Sequence, residues 1–267
     1  MVALVAMLAP AGAGATPTFA STDDATVHPG VQTFTDGAQC TANFVFIDGT
    51  DVFIGQAAHC SGTGGSTETN GCDAGSLPLG TEVEVDGAEQ PGTLVYNSWL
   101  TMQAVGETDP DACQYNDFAL IRVHPDDVAN TNPSIPVYGG PVALGTATSF
   151  GETVYSYGNS SLRLGLEPLS PKTGTSLGQT ADGWNHPVYT VTPGVPGDSG
   201  SAFLNSAGEA IGVLSTLAIA PLAGSNGVSD LNLAVTYMQA NSPFSGVDLV
   251  PGTEPFTPSL VGLVPLG

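Results

Sequence analysis

Gly197-Asp198-Ser199-Gly200 is the stretch on which the reading of this chain turns. It places a serine between small residues, the setting of a tight, exposed turn. Upstream lies Ala57-Ala58-His59-Cys60, and between the two lies Asn116-Asp117-Phe118-Ala119-Leu120. A hydroxyl is a weak nucleophile; it needs an imidazole within hydrogen-bond reach, and the imidazole needs a carboxylate that fixes its tautomer. The chain supplies all three in the order His59, Asp117, Ser199. The backbone N–H groups of Gly197 and Ser199 are placed to converge on one point, as an oxyanion hole requires. Each string by itself is weak, since GDSG is also a common turn and a histidine beside a cysteine is also a packing residue. Their conjunction in one chain carries the argument.

Composition narrows the setting. The chain has 267 residues, with 35 Gly, 21 Pro and only 10% charged residues, a profile of short strands joined by many turns. Twenty-five acids face three bases, Arg122, Arg163 and Lys172, for a formal net charge of -22. Such a surface repels nucleic acid and anionic lipid, so neither a nucleic-acid partner nor stable membrane association is expected. Residues 1–20 read as a secretory signal. Val2–Ala9 is an apolar run too short to span a bilayer, and Ala13-Gly14-Ala15 and Phe19-Ala20 are candidate cleavage sites. No basic residue precedes the run, so the true start is expected upstream. An even set of four cysteines, Cys40, Cys60, Cys72 and Cys113, in an exported chain suggests two bridges, with three pairings open. No Cys/His spacing suggests a metal site, and no cofactor is expected.

Along the chain, Phe44–Ile47 and Val52–Gly55 read as a hairpin about Asp48-Gly49, and Glu82–Val85 alternates acid and valine like a half-buried strand. Further strands are expected at 93–96, 118–123, 142–157, 187–192, 201–204 and 210–217. A helix is expected at 231–240. The Pro, Asn and Asp-rich stretch 124–141 reads as a connector between two halves, residues 21–135 and 136–250, with an extended segment at 251–267.

These strings resemble the chymotrypsin-like (trypsin-fold) serine endopeptidases, and more closely their secreted bacterial branch. The likeness spans roughly residues 30–245 and is strongest at AAHC, at NDFALI (116–121), at GDSGSA (197–202) and at Gly212-Val213-Leu214-Ser215. It implies an all-β fold of two antiparallel six-stranded barrels with the site between them. It further implies His59 as general base, Asp117 as its orienting carboxylate, Ser199 as nucleophile, and the amides of Gly197 and Ser199 as the oxyanion hole. The bridge Cys40–Cys60 bracing the histidine loop is implied too, and with it Cys72–Cys113. Ser215, Thr216 and Leu217 take the place of the strand that pairs with substrate. The expected protein is a secreted, monomeric, cofactor-free enzyme acting on proteins or peptides.

The chain also departs from that pattern. No Lys or Arg precedes Arg122 in this sequence, so no activation site after a basic residue is expected and Asp198 needs an internal partner, with Arg163 the first candidate and Lys172 the second. Pro193 stands where trypsin-like members carry an acid, and Thr216 and Leu217 replace an aromatic-glycine pair. A small or medium apolar side chain is therefore expected at P1, the substrate residue before the scissile bond. No cysteine precedes GDSG to bridge this wall. His28, His124 and His186, each before a proline, read as structural or solvent-facing, and Asp109 and Asp111 as minor rivals to Asp117. Two rival functions remain in view: a binding protein on the same fold without turnover, and an esterase with the same three residues.

Overall fold

The computed structural model describes residues 16–65, 69–218 and 224–259. The stretch read as a secretory signal falls largely on residues 1–15, outside the described residues. Within residues 16–20, Phe19 already packs on the first core and the Ala20 amide donates to Thr131 O.

The first half is built from short antiparallel strands: β1 Gln32–Thr35, β2 Ala38–Thr41, β3 Val45–Asp48, β4 Asp51–Gln56, β5 Glu82–Val85, β6 Gly92–Asn97 and β7 Ala119–Arg122. β3 and β4 form the hairpin expected from Asp48-Gly49, with Gly49 at φ 61. In β5, the two valines are buried and the two glutamates exposed, as the alternation of the sequence dictates. A 3₁₀ turn, Ala58–Ser61, follows β4 and carries His59.

Two short helices, unforeseen in the sequence reading, stand between β6 and β7. Helix α1, Ser98–Val105, starts where the Asn97 side chain accepts the N–H groups of Trp99 and Leu100, and stops at Gly106 in the left-handed conformation. Helix α2, Pro110–Tyr115, is capped by Asp109, whose carboxylate accepts from Asp111 N and Ala112 N, with Pro110 opening the first turn. Asp109 is thus engaged as a cap, and Asp111 in the first turn of α2 is half-buried.

The second half holds β8 Thr153–Tyr157, β9 Pro171–Ser176, β10 Asn185–Thr190, β11 Ala202–Leu204, β12 Ala210–Ala218 and β13 Ser225–Asp230. These six close a barrel in the order β10-β13-β12-β11-β8-β9. The strand expected over 142–157 is confined to its last five residues, which follow a turn at Phe150-Gly151 with Gly151 at φ 83. Helix α3, Leu231–Asn241, follows β13 with Asp230 as its N-cap, and covers the expected 231–240. A last strand, β14 Asp248–Leu249, returns to pair with β3. The N-terminal sheet therefore has eight strands, in the order β14-β3-β4-β7-β6-β5-β1-β2, with β14 and β2 at its edges. Residues 251–259 are extended: Gly252 N donates to Pro141 O, and Phe256 packs edge-on against Tyr155.

One core joins the two halves. Phe46, Phe118 and Leu120 of the N-terminal sheet belong to the same apolar cluster as Tyr155, Leu204, Val213 and Met238. Burial of this aromatic and aliphatic set is the main force that holds the halves together. The facing ends of the two sheets meet at the loops that carry His59, Asp117 and Ser199.

Candidate active site

His59 is pinned from both sides of its turn. The Cys40–Cys60 disulfide ties the residue after it to β2, with a sequence separation of 20. Its backbone N–H donates to Asp117 Oδ1 at 2.9 Å, and its ring Nδ1 meets Asp117 Oδ2 at 2.7 Å. Asp117 lies in the bend between α2 and β7 and is 3% exposed. Its Oδ2 also accepts the Ser215 hydroxyl at 2.5 Å. Burial by itself raises the Asp117 carboxyl, but the His59 charge, the ring hydrogen bond, Ser215 and the His59 amide together hold it below the ordinary carboxylate range. Burial likewise lowers the His59 imidazole, and the charge and hydrogen bond of Asp117 outweigh it, leaving the ring above its usual value of 6.5. Nδ1 is thereby committed to the carboxylate and Nε2 is left for the cleft.

The turn that carries Ser199 explains both of its glycines. Gly197 has φ +95 and Gly200 φ +89, conformations an L side chain rarely adopts. A Cβ on Gly197 would run into the Gln39 carboxamide, and one on Gly200 into the Thr41 carbonyl. The Gly197 carbonyl accepts from Gln39 Nε2 at 2.9 Å and Thr41 Oγ1 at 2.8 Å, which fixes the tilt of the 197–198 peptide. Asp198 N turns inward to Val195 O, whereas the amides of Gly197 and Ser199 donate to no acceptor among the described residues. Two unsatisfied N–H groups thus flank the Ser199 side chain.

His59, Asp117, Gly197 and Ser199 all line one cleft of about 580 Å³, together with Ser215, Thr216 and Leu217. No hydrogen bond joins the Ser199 hydroxyl to the His59 ring in this conformation; such contacts commonly tighten only with substrate in place. Pro193 is not part of the lining; its carbonyl accepts Arg163 Nη2 at 3.0 Å. The lining also contains residues that the sequence did not mark as site residues, among them Trp99, which reads in the sequence as a packing residue. Trp99, brought in by α1, faces the His59 ring at 6.5 Å between centroids. Gly194 and Asn226 complete the wall beyond Thr216. The caps of α1 were a readable signal for Trp99; nothing local marked Asn226.

Asp198, next to the candidate nucleophile, is fully buried and doubly countered. Its Oδ2 takes Arg163 Nη2 at 2.5 Å and Lys172 Nζ at 3.0 Å, while Ser160 N donates to Oδ1. Burial pushes the Lys172 ammonium down to about 8, partly offset by Asp198, with Arg163 adding repulsion. Both cations offered by the sequence are therefore engaged at one oxygen.

The remaining singled-out residues lie elsewhere. His186 is buried, its Nε2 at 2.7 Å from Asp230 Oδ2 and its Nδ1 at 2.9 Å from Thr148, as a structural group. His124 caps a 3₁₀ turn. Cys72 pairs with Cys113, tying the loop after His59 to α2. Cys40, His59 and Cys60 approach one another, but both sulfurs are consumed by their disulfide, so they offer no metal-binding set.

Known structures share this arrangement of strands. Protease A of Thermobifida fusca superposes with a TM-score of 0.55 at 18% identity, covering 85% of this chain and all of that one. A glutamic acid-specific serine protease, described as using a histidine triad in substrate binding, gives 0.53 at 16% identity, covering 84% of this chain and all of that one. The Nocardiopsis protease NAPase gives 0.50 at 16% identity, with 84% and 98% covered. At these identities the likeness establishes the fold. No curated protein sequence matches significantly. The model of the trypsin-like peptidase domain family matches residues 57–213, from the alanine before the histidine turn to the middle of β12. With more than half of its length matched and a chymotrypsin-type fold around it, the chain belongs to the trypsin-like peptidase domain family.

Proposed function

We propose that this chain is a serine endopeptidase in which Ser199 attacks the scissile carbonyl of a peptide while His59 takes its proton. The observation that carries the reading is the 2.7 Å contact between His59 Nδ1 and Asp117 Oδ2, in the cleft that also holds Ser199 and the two unpaired amides. As the hydroxyl attacks, His59 becomes imidazolium, a form that the adjacent Asp117 carboxylate stabilises. The carbonyl oxygen gathers negative charge at the N–H groups of Gly197 and Ser199, where one donor is worth about 3–4 kcal/mol of transition-state stabilisation. His59 then protonates the leaving amine, and water repeats the sequence on the acyl-enzyme.

Substrate is held as an added strand. β11 flanks β12 only as far as Val213, and among the described residues none pairs with that side of β12 beyond Leu214, where it borders the cleft. Residues 215–217 thereby offer an unpaired strand edge to an extended peptide. The side-chain pocket is bordered by Val195, Leu214, Thr216 and Leu217, which supports a small or medium apolar P1 residue. Arg163 is engaged by Asp198, so no free cation is left there for an acidic P1. Two disulfides fit an oxidising compartment and hence secretion.

Labelling by a fluorophosphonate, mapped to Ser199 and abolished in Ser199→Ala, together with hydrolysis of peptide amides, tests the assignment. A folded, disulfide-intact protein that resists the label identifies a binding module instead. Turnover of short esters without turnover of peptides identifies an esterase.

A further inference from the structure

Asn226 is the second residue of β13, a strand whose six residues are all buried. Its side chain borders the cleft between Gly194, in the segment leading to Ser199, and strand β12. It reaches both. Oδ1 accepts the Gly194 N–H at 2.8 Å; Nδ2 donates to Gly194 O at 3.3 Å and to Thr216 O at 3.2 Å. The pairing of β12 with β13 shifts register between Leu214 and Thr216, and such an irregularity re-aims the side chains beside it. The interior is already occupied at this depth. A methyl group on Gly194 would lie 2.8 Å from Leu214 Cδ1 and 3.0 Å from Asn226 Nδ2. Neither wall contains a cysteine, since all four lie at or before residue 113. One amide therefore supplies the lateral tie that joins the walls.

Resting on the peptidase reading above, we propose that Asn226 is a specificity-determining and positioning residue: its carboxamide forms the floor of the P1 side-chain pocket and clamps the two walls at that depth. Two consequences follow from the geometry. A side chain of Ala to Val size fills the space above the amide, and a longer one meets a floor held by three hydrogen bonds. In addition, Gly194 lies three residues before Gly197, so the clamp fixes the strand that leads into the candidate oxyanion amides.

The test compares P1 Ala, Val, Leu and Phe peptide substrates in the wild type, Asn226→Ala and Asn226→Asp, with serine labelling counted in each. Alanine removes the floor. The ratio of kcat/KM for Leu over Ala should rise by tenfold or more, since one methylene in an apolar pocket is worth about 10–200-fold. Aspartate keeps the volume and the acceptor for Gly194 N–H but turns an oxygen toward two carbonyls. It should lower kcat for every substrate and leave the P1 ranking unchanged, a split that a merely structural residue would not give. If the alanine variant fails to fold, Asn226→Ser makes the same comparison with a smaller opening. A labelled, folded alanine or serine variant with the wild-type P1 ranking overturns the floor. A wild type that prefers Phe over Ala overturns it as well. A wild type that takes no label removes the peptidase reading itself, and the clamp with it.

Discussion

Lys172 Nζ stands 3.0 Å from Asp198 Oδ2, and neither side chain is exposed to solvent. Arg163, 9% exposed, meets the same oxygen from the other side. The residue before Ser199 is therefore held by two internal cations, so the turn that carries Ser199 has its counter-charges within the barrel. An unpaired charge at this depth is strongly destabilising.

Removing one cation leaves the other. Lys172→Met should change stability by no more than about 2 kcal/mol, because the ammonium loses its desolvation penalty along with its partner. The double variant Arg163→Ala/Lys172→Met isolates the carboxylate and should lose about 3–5 kcal/mol. Denaturant unfolding of the three proteins checks the ordering.

Arg163→Ala by itself should keep the fold largely intact and lose activity, because Arg163 also ties Pro193 O to the loop behind the cleft. Matching circular dichroism with a kcat/KM at least about tenfold lower is the expected pair of readings. Wild-type activity would remove this role.

The acid limb of activity should lie above pH 6.5. In the proposed mechanism His59 can take a proton only when neutral, and Asp117 raises its proton affinity in the folded state. The signs for rate and stability are opposite. A raised imidazole contributes stability in full below the unfolded value of 6.5 and loses it as pH climbs through the folded value, the window in which rate appears. The depressed Asp117 contributes above 3.8 and loses its share as pH falls through the folded value. A pH profile of kcat/KM beside one of Tm checks both. Asp117→Asn should lower kcat by about 10⁴ by imposing the wrong tautomer.

Gly197→Ala should be damaging out of proportion to one methyl group. The backbone there is at φ +95, and the added carbon meets the Gln39 carboxamide. Strain of about 1–3 kcal/mol and a fall in kcat of roughly 10²-fold or more are expected, read by thermal melting and by single-turnover kinetics.

The two disulfides should separate in their effects. Chain-entropy estimates give roughly 3 kcal/mol for Cys40–Cys60, separation 20, and roughly 4 kcal/mol for Cys72–Cys113, separation 41. Only the first adjoins His59. Loss of the second should lower Tm while serine labelling at 25 °C persists; loss of the first should slow labelling as well.

What could be read in advance follows the range of the forces involved. The β3–β4 hairpin was legible because Asp48-Gly49 is a local turn signal, and β5 because valine and glutamate alternate. The closed second barrel and the added edge strand β14 depend on long-range pairing; resemblance supplied the barrel, and β14 was not foreseen. Helices α1 and α2 were missed although Asn97, Gly106, Asp109 and Pro110 mark their ends, because each helix is too short to show an apolar period. At the candidate site, the serine turn, the histidine and the aspartate announce themselves by their neighbours. Gln39, Thr41 and Asn226 do not: each acts on a backbone group at least 20 positions away, and no local pattern encodes that.

The engagement of Arg163 and Lys172 in the interior leaves Arg122 as the one base of this chain with a solvent-facing side chain, at 44% exposure. Proteases that recognise lysine or arginine are thus offered one exposed cationic side chain, and its backbone is paired on both sides, to Phe53 and to Thr93. With the other two cations turned inward, the folded chain should resist such proteases until it unfolds.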